Sequence, residues 1–339
     1  MQKTHTRDVK AVLVAGGAGY IGAHVCKALA LAGLLPVTLD NLTTGKKEFV
    51  KWGPLVHAPV SDAGAVRQAV SGHGVSAIID LAGSIEVAES VSDPLKYYDN
   101  NLAAKIGFLR TLRECGISAF VFSSTAAVYG EPVRVPIPES HPLAPKNPYG
   151  VSKLAFEQVL RDFHAAGGPA FMALRYFNAA GASPDGEIGE AHDPESHLIP
   201  RACFAALGRG PALEVYGDDY PTPDKTAVRD YIHVADLASA HLLAVDALLR
   251  GAAPAAYNLG NGIGTSVGEV LSCFARLGWP VPHRFRPRRA GDPAQLVADS
   301  AAARRHLNWQ PRYAGIDTIV RSAYQWHQAN PLVAKSVAQ

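Results

Sequence analysis

With 339 residues, 48% of them hydrophobic, the chain is long enough for one large or two modest apolar cores. Its 32 basic and 30 acidic side chains leave a formal charge of +2, which argues against nucleic-acid or membrane-surface partners. Cys26, Cys115, Cys203 and Cys273 are scattered, with no Cys-x-x-Cys pair and no histidine at ligand spacing, and the apolar stretch 28–39 is broken by Gly33 and Pro36, so a cytoplasmic protein with reduced thiols, no bound metal, no signal peptide and no membrane span is expected.

The apolar run 10–15 reads as a buried parallel strand and leads directly into Gly16-Gly17-Ala18-Gly19-Tyr20-Ile21-Gly22. Glycines 17, 19 and 22 fit G-x-G-x-x-G, and 16, 19 and 22 fit a G-x-x-G-x-x-G variant, followed by an Ala/Leu-rich helix over 21–31. Such a loop brings backbone N–H groups close to a pyrophosphate at a helix N-terminus. A second strand, 36–39, delivers Asp40, where an acid can hold a ribose diol; no arginine follows it immediately, which favours NAD over its 2′-phosphorylated relative.

Strands and helices then alternate: a strand at 55–58, a helix at 63–70, a strand at 77–81, a long helix over 94–115, a strand at 119–122, a helix at 149–165 and a strand at 170–175. The region 177–226 is rich in Gly, Pro, Asp and His, with one helix near 199–207, as suits binding loops on a rigid scaffold. A helix over 233–249 and elements near 256–259, 266–277 and 316–328 follow. The expected fold is α/β, a doubly wound parallel (Rossmann) sheet with a smaller C-terminal α/β substrate lobe. Residues 1–176 are expected to form the cofactor domain and 177–339 mainly the substrate lobe, with about 228–262 returning to the first.

The chemistry centres on Pro148-Tyr149-Gly150-Val151-Ser152-Lys153, downstream of Ser123-Ser124-Thr125. If Asn147 caps a helix with Pro148 at its first position, Tyr149 and Lys153 lie four apart on one face. A phenol titrates near 10, and an adjacent ammonium and a cationic nicotinamide would both favour the phenolate, giving a base usable near neutral pH. This pattern is that of an enzyme moving a proton and a hydride.

Gly16–Gly22, Asp40-Asn41-Leu42, Tyr97-Tyr98-Asp99-Asn100-Asn101, the run from Ser123 to Gly130, Tyr149 to Lys153, Arg175-Tyr176-Phe177-Asn178 and Val228 to His233 together resemble the UDP-glucose 4-epimerases of the extended short-chain dehydrogenase/reductase superfamily. The resemblance implies a homodimer and a 4-keto sugar intermediate. It implies that Tyr149 is the base, that Lys153 orients the nicotinamide ribose and lowers the phenol's pKa, and that Thr125, with Ser124 beside it, holds the sugar's 4-oxygen. It implies cofactor contacts from Gly16, Gly19, Tyr20, Ile21, Gly22, Asp40, Asn41, Val60, Leu81, Ala82, Gly83, Asn100, Ser123, Lys153, Tyr176 and Phe177. For the UDP-sugar it implies Thr125, Tyr149, Asn178, Leu198, Tyr216, Arg229, Arg289, Asp292 and Leu296, the last gating the space near the sugar's 2-substituent, and His197 is a further candidate for the uridine or sugar.

Some positions depart from the family pattern. Ala58-Pro59-Val60 stands where an Asp usually holds the adenine amine, so that contact is expected to be missing. Ile85, His197 and Lys225 also differ, leaving a UDP-xylose/UDP-arabinose 4-epimerase open beside the hexose enzyme. Ala126-Ala127 after Thr125 disfavours a 4,6-dehydratase, and a non-catalytic NAD sensor has no need of Thr125, Tyr149 and Lys153 together.

Overall fold

The computed structural model describes residues 10–289 and 292–331, so the outer ends of the two expected segments, 1–9 and 332–339, lie outside the described residues. Apolar runs closed by turn residues form β1 (Ala11–Ala15), β2 (Leu35–Asp40), β3 (Leu55–His57), β4 (Val75–Asp80), β5 (Ala119–Thr125) and β6 (Ala170–Tyr176). Beyond them run β7 (Asn178–Ala180), β8 (Leu213–Tyr216), β9 (Val228–His233), β10 (Ala255–Leu259), β11 (Gly264–Ser266), β12 (His283–Arg286) and β13 (Gln295–Leu296).

Seven strands form one parallel sheet in the order β10-β6-β5-β4-β1-β2-β3. The order reverses beside β1, and ligands of such sheets collect in the crevice beyond the carboxyl ends at that switch point. All five residues of β1 are buried, as a strand covered on both faces requires. Alternate side chains feed two cores: Val12, Val14, Ile79, Val121 and Leu174 pack under the helices Tyr20–Leu31 and Val234–Leu249. Leu13, Ile78, Phe120 and Phe122 pack under Ala63–His73, Ala104–Glu114 and Pro148–Ala165. A third core, with Ile199, Val215, Val270, Phe274 and Val320, belongs to the remaining elements.

The region expected to be mostly loop holds β7 and β8, and the segment before the 233–249 helix is the strand β9, which pairs in parallel with β7 and β13. These strands are too short for alternation to reveal. His233 is not the first helical residue but the cap of Val234–Leu249, its Nδ1 accepting the Ala235 N–H at 3.1 Å. The expected 94–115 helix is Pro94–Tyr98 and Ala104–Glu114 joined by a π-helical turn, Asp99–Ala103. Such turns insert an extra residue and often mark functional sites. No helix among the described residues is long and apolar enough to cross a membrane.

Candidate active site

The glycine loop is shaped by close approach. A Cβ on Gly22 would stand 2.0 Å from the Gly16 carbonyl oxygen, and Gly16 itself, at φ +78°, lies against the Leu81–Ala82 backbone. No side chain caps Tyr20–Leu31 at Gly19, so its first N–H groups face the crevice. Ile21 enters the core beneath it. The Asp40 carboxylate, at the end of β2, accepts from Ala18 N at 3.0 Å and Leu42 N at 2.8 Å, which sets it against the loop beside exposed Asn41. A cavity of about 30 Å³ opens here, lined by residues that include Ala18, Gly19, Tyr20 and Lys46. Pro59 is exposed and Val60 packs on the core; the nearby acid, Asp62, is spent capping the next helix through Ala65 N at 2.9 Å.

On the far side of the switch point, Asn147 accepts the Gly150 N–H at 2.8 Å and Pro148 begins the helix, so the expected cap is present. Lys153 Nζ stands 5.8 Å from the centre of the Tyr149 ring and donates to the Ser123 carbonyl at 2.9 Å. Burial, reinforced by Lys105, pushes the Lys153 ammonium down to about 7. For Tyr149, desolvation outweighs hydrogen bonding to Thr125 and holds the phenol above its usual value. The loss of water thus outweighs the lowering expected from Lys153.

Thr125 accepts from Ala127 N at 3.1 Å and keeps its hydroxyl beside Tyr149. Ser124 corrects the sequence expectation: its hydroxyl donates to buried Glu157 at 2.6 Å, on the other face of the sheet from Thr125. Tyr176 likewise turns inward, its buried ring 5.6 Å from that of His241. Asn100 is exposed and reaches Ser84 Oγ at 3.1 Å. Its neighbour Asn101, missed in the sequence, is fully buried; it accepts from Ser84 N at 2.9 Å and donates to Ser84 O at 3.0 Å and Ser152 Oγ at 3.3 Å. It thereby fixes the Leu81-Ala82-Gly83 turn to the helix of Tyr149. The adjacent Asn pair was the available signal, but only the helical rotation tells which one turns inward.

Several predicted sugar-nucleotide residues pair with one another. Arg229 pairs with Asp292, and the Arg289 guanidinium stacks 3.9 Å over the Tyr216 ring, whose hydroxyl donates to Glu214 at 2.8 Å. Leu296 is the β13 partner of Arg229 and packs with Phe177 and Leu154 around Val128, Tyr129 and Ile137, bringing β13 to the helix of Tyr149. Asn178 opens β7, and Leu198 opens the helix Leu198–Ala206. His197, just before it, presents Nδ1 to Glu190 at 2.8 Å while its ring stays 40% exposed.

A family model for the NAD-dependent epimerase/dehydratase family matches residues 12–260. The UDP-glucose 4-epimerase of Rhizobium leguminosarum bv. trifolii is 48% identical over 317 residues, covering 93% of this chain and 97% of that protein. The crystal structure of UDP-glucose 4-epimerase from Brucella ovis in complex with NAD superposes with a TM-score of 0.91 at 48% identity, covering 93% of this chain and 98% of that one. The Stenotrophomonas maltophila UDP-glucose 4-epimerase, bound to NAD and formylated UDP-arabinopyranose, gives 0.92 at 38% identity over 95% of this chain and 99% of that one.

Proposed function

The chain belongs to the NAD-dependent epimerase/dehydratase family, and from that premise we propose that it is an NAD-dependent UDP-sugar 4-epimerase interconverting UDP-glucose and UDP-galactose. The observation that carries this reading is the meeting of Thr125, Tyr149 and Lys153 at the carboxyl end of the sheet, across the switch point from an open glycine loop.

The residues fit a dinucleotide: the uncapped helix start and the cradle that a Gly22 side chain would fill suit a pyrophosphate, and the Asp40 carboxylate suits a ribose diol. Gly16, Gly19, Tyr20, Ile21 and Gly22 would hold the phosphates, Asp40 and Asn41 the adenosine ribose, and Leu81 to Gly83, Asn100, Ser123, Lys153 and Phe177 the nicotinamide half. The chemistry the bound dinucleotide supplies is reversible hydride acceptance at the sugar's C4.

The chain's own residues handle the proton. Tyr149 takes it from the 4-hydroxyl and gives it back, while Thr125 orients that oxygen. Because desolvation keeps the phenol protonated in the free protein, positive charge beside it in the loaded site creates the base only when it is needed. Arg229 and Arg289, held by Asp292 and Tyr216, would grip the UDP pyrophosphate with planar guanidinium groups. Remote binding energy then retains the keto sugar while it turns over. In this reading 1–176 with about 228–262 form the cofactor domain, which also lends Thr125, Tyr149 and Arg229 to the sugar, and the rest forms mainly the UDP-sugar lobe. A homodimer, supported by exposed Val91 and Leu95, and cytoplasmic residence, supported by four unpaired cysteines, complete it.

Incubation of the purified protein with UDP-galactose, UDP-glucose and UDP-xylose, with chromatographic resolution of the products, should show hexose interconversion. Tyr149→Phe should lower turnover by about 10²–10⁴ with UDP binding retained. Absence of interconversion of every substrate overturns the reading.

A further inference from the structure

The loop between β7 and the helix Leu198–Ala206 carries two Glu-x-His units, Glu190-Ala-His192 and Glu195-Ser-His197. Folding superimposes them. The Glu190 carboxylate lies 3.1 Å from His192 Nδ1 and 2.8 Å from His197 Nδ1, while Glu195 lies 3.8 Å and 3.3 Å from the same two atoms. One ligand atom from each of the four residues falls within 4.8 Å of all the others. The side chains of Glu190 and Glu195 are 4% and 1% exposed, so two carboxylates have left water.

One hydrogen bond, from the His197 backbone N–H to Glu195 Oε1 at 2.8 Å, accounts for part of this convergence and leaves the rest open. His192 Nδ1, His197 Nδ1 and Glu195 Oε2 are all buried, and none makes an aligned hydrogen bond, despite the short separations. Buried polar atoms ordinarily find partners. The four donor atoms instead lie gathered within 4.8 Å of one another, as the donors of a metal centre do. Ligands at 2.0–2.1 Å around a tetrahedral zinc ion stand about 3.3 Å apart, and the His–Glu separations of 2.8, 3.1, 3.3 and 3.8 Å, those of Glu195 taken to its two oxygens, lie around that value.

We propose that Glu190, His192, Glu195 and His197 bind one divalent transition-metal ion of the zinc class in a closed, structural site. Two imidazoles with two carboxylates suit zinc, and with all four positions taken by protein no coordination place is left for a substrate. The sequence expectation of no metal weighed cysteines and histidine spacing and overlooked the glutamates. The site's place in the fold gives it a task. The His192 ring meets the Tyr20 ring edge-on at 6.2 Å, and Tyr20 opens the glycine-loop helix. Farther back, the same loop pairs Asp185 and Glu187 with Lys27 of that helix. A metal there would pin the loop leading into the sugar-side lobe against the helix expected to hold the pyrophosphate.

The test uses tag-free full-length protein purified without chelator, with metal measured by mass spectrometry. About one equivalent of metal per chain is expected, either as isolated or after loading with Zn²⁺. Stripping with a chelator should lower Tm by several degrees, and Zn²⁺ should restore it. Co²⁺-loaded protein should show the visible bands of a tetrahedral site, and Glu195→Gln, nearly isosteric, should weaken Co²⁺ binding at least about tenfold. His192→Ala should abolish the bands, and Glu195→Gln carries the comparison should that variant fail to fold. Two results overturn the proposal. One is no stoichiometric binding of Zn²⁺, Co²⁺ or Mn²⁺, which would leave the cluster as imidazolium–carboxylate pairs; the other is a Glu195→Gln protein with unchanged Co²⁺ spectrum and affinity.

Discussion

Ser123, Ser124 and Thr125 are consecutive in β5, yet side chains alternate across a strand, so Ser124 turns to Glu157 while Thr125 stays with Tyr149. The helical spacing of Tyr149 and Lys153 was legible because a period of 3.6 and an Asn-Pro start fix their face. The state of their protons was not, since desolvation depends on everything packed around them. The same holds for Leu296, which the sequence could nominate but not surround. It is partly buried with Phe177 against Ile137 and Tyr129, so extra atoms at a sugar's 2-position would press on a packed wall. Overpacking costs about 1–3 kcal/mol, and N-acetylated UDP-sugars are therefore expected to be handled about 10–100-fold less efficiently than UDP-galactose. Leu296→Cys should narrow that ratio of kcat/KM; equal wild-type efficiencies, or a variant with no relative gain, would remove Leu296 as the gate.

One tie between elements was invisible to periodicity, because it is made by charges in buried positions. Glu157, on the helix Pro148–Ala165, accepts from Arg175 of β6 through Nε at 2.9 Å and Nη2 at 2.6 Å. Ser124 of β5 joins at 2.6 Å, and Arg175 continues to the Tyr129 hydroxyl at 3.0 Å. The helix that carries Tyr149 is thus bolted to two central strands. Pattern reading located the helix and both strands but says nothing of which polar side chains are buried between them. The π turn at Asp99–Ala103 escaped for a related reason: it is a local gain of one residue that leaves the apolar spacing on either side intact. Removing one partner of a buried pair strands the other charge, so Glu157→Ala should cost about 3–5 kcal/mol. Arg161, on the exposed side of the same carboxylate, should cost under about 1 kcal/mol when changed to Ala. Urea midpoints would compare them, and similar losses for both would show that the Arg175 pair is not the special one.

At the scale of the molecule, the parallel sheet was readable from the alternation of strand and helix, whereas the association of β7, β9 and β13 depends on contacts between distant short segments. Four of the buried histidines are likewise a property of the assembled fold. Burial lowers His24 to about 3 and His233, His241 and His327 to about 4. The unfolded chain takes up protons below about 6.5 that the folded chain refuses, so their contribution is complete above that pH and is lost as pH falls towards 4. Each group adds a slope of up to about 1.4 kcal/mol per pH unit in that window, and denaturation midpoints should fall steadily from pH 7 to 4.5; an unchanged midpoint would mean these rings are not held neutral. The surface makes a different demand. Val91 and Leu95 are 65% and 71% exposed, and their short helices, Val87–Ser92 and Pro94–Tyr98, pack against Pro148–Ala165, where Val151 is also exposed. Leu109, on the helix Ala104–Glu114, faces its own core, which narrows the apolar surface to the outer turns. An isologous contact lets one such patch cover its own copy. Light scattering at micromolar protein should give twice the chain mass, and Leu95→Glu, which places a charge where the twofold mates would meet, should shift the population to monomer without loss of helicity. A wild-type monomer would reject the dimer, and a Leu95→Glu protein that stays dimeric would move the interface away from these helices.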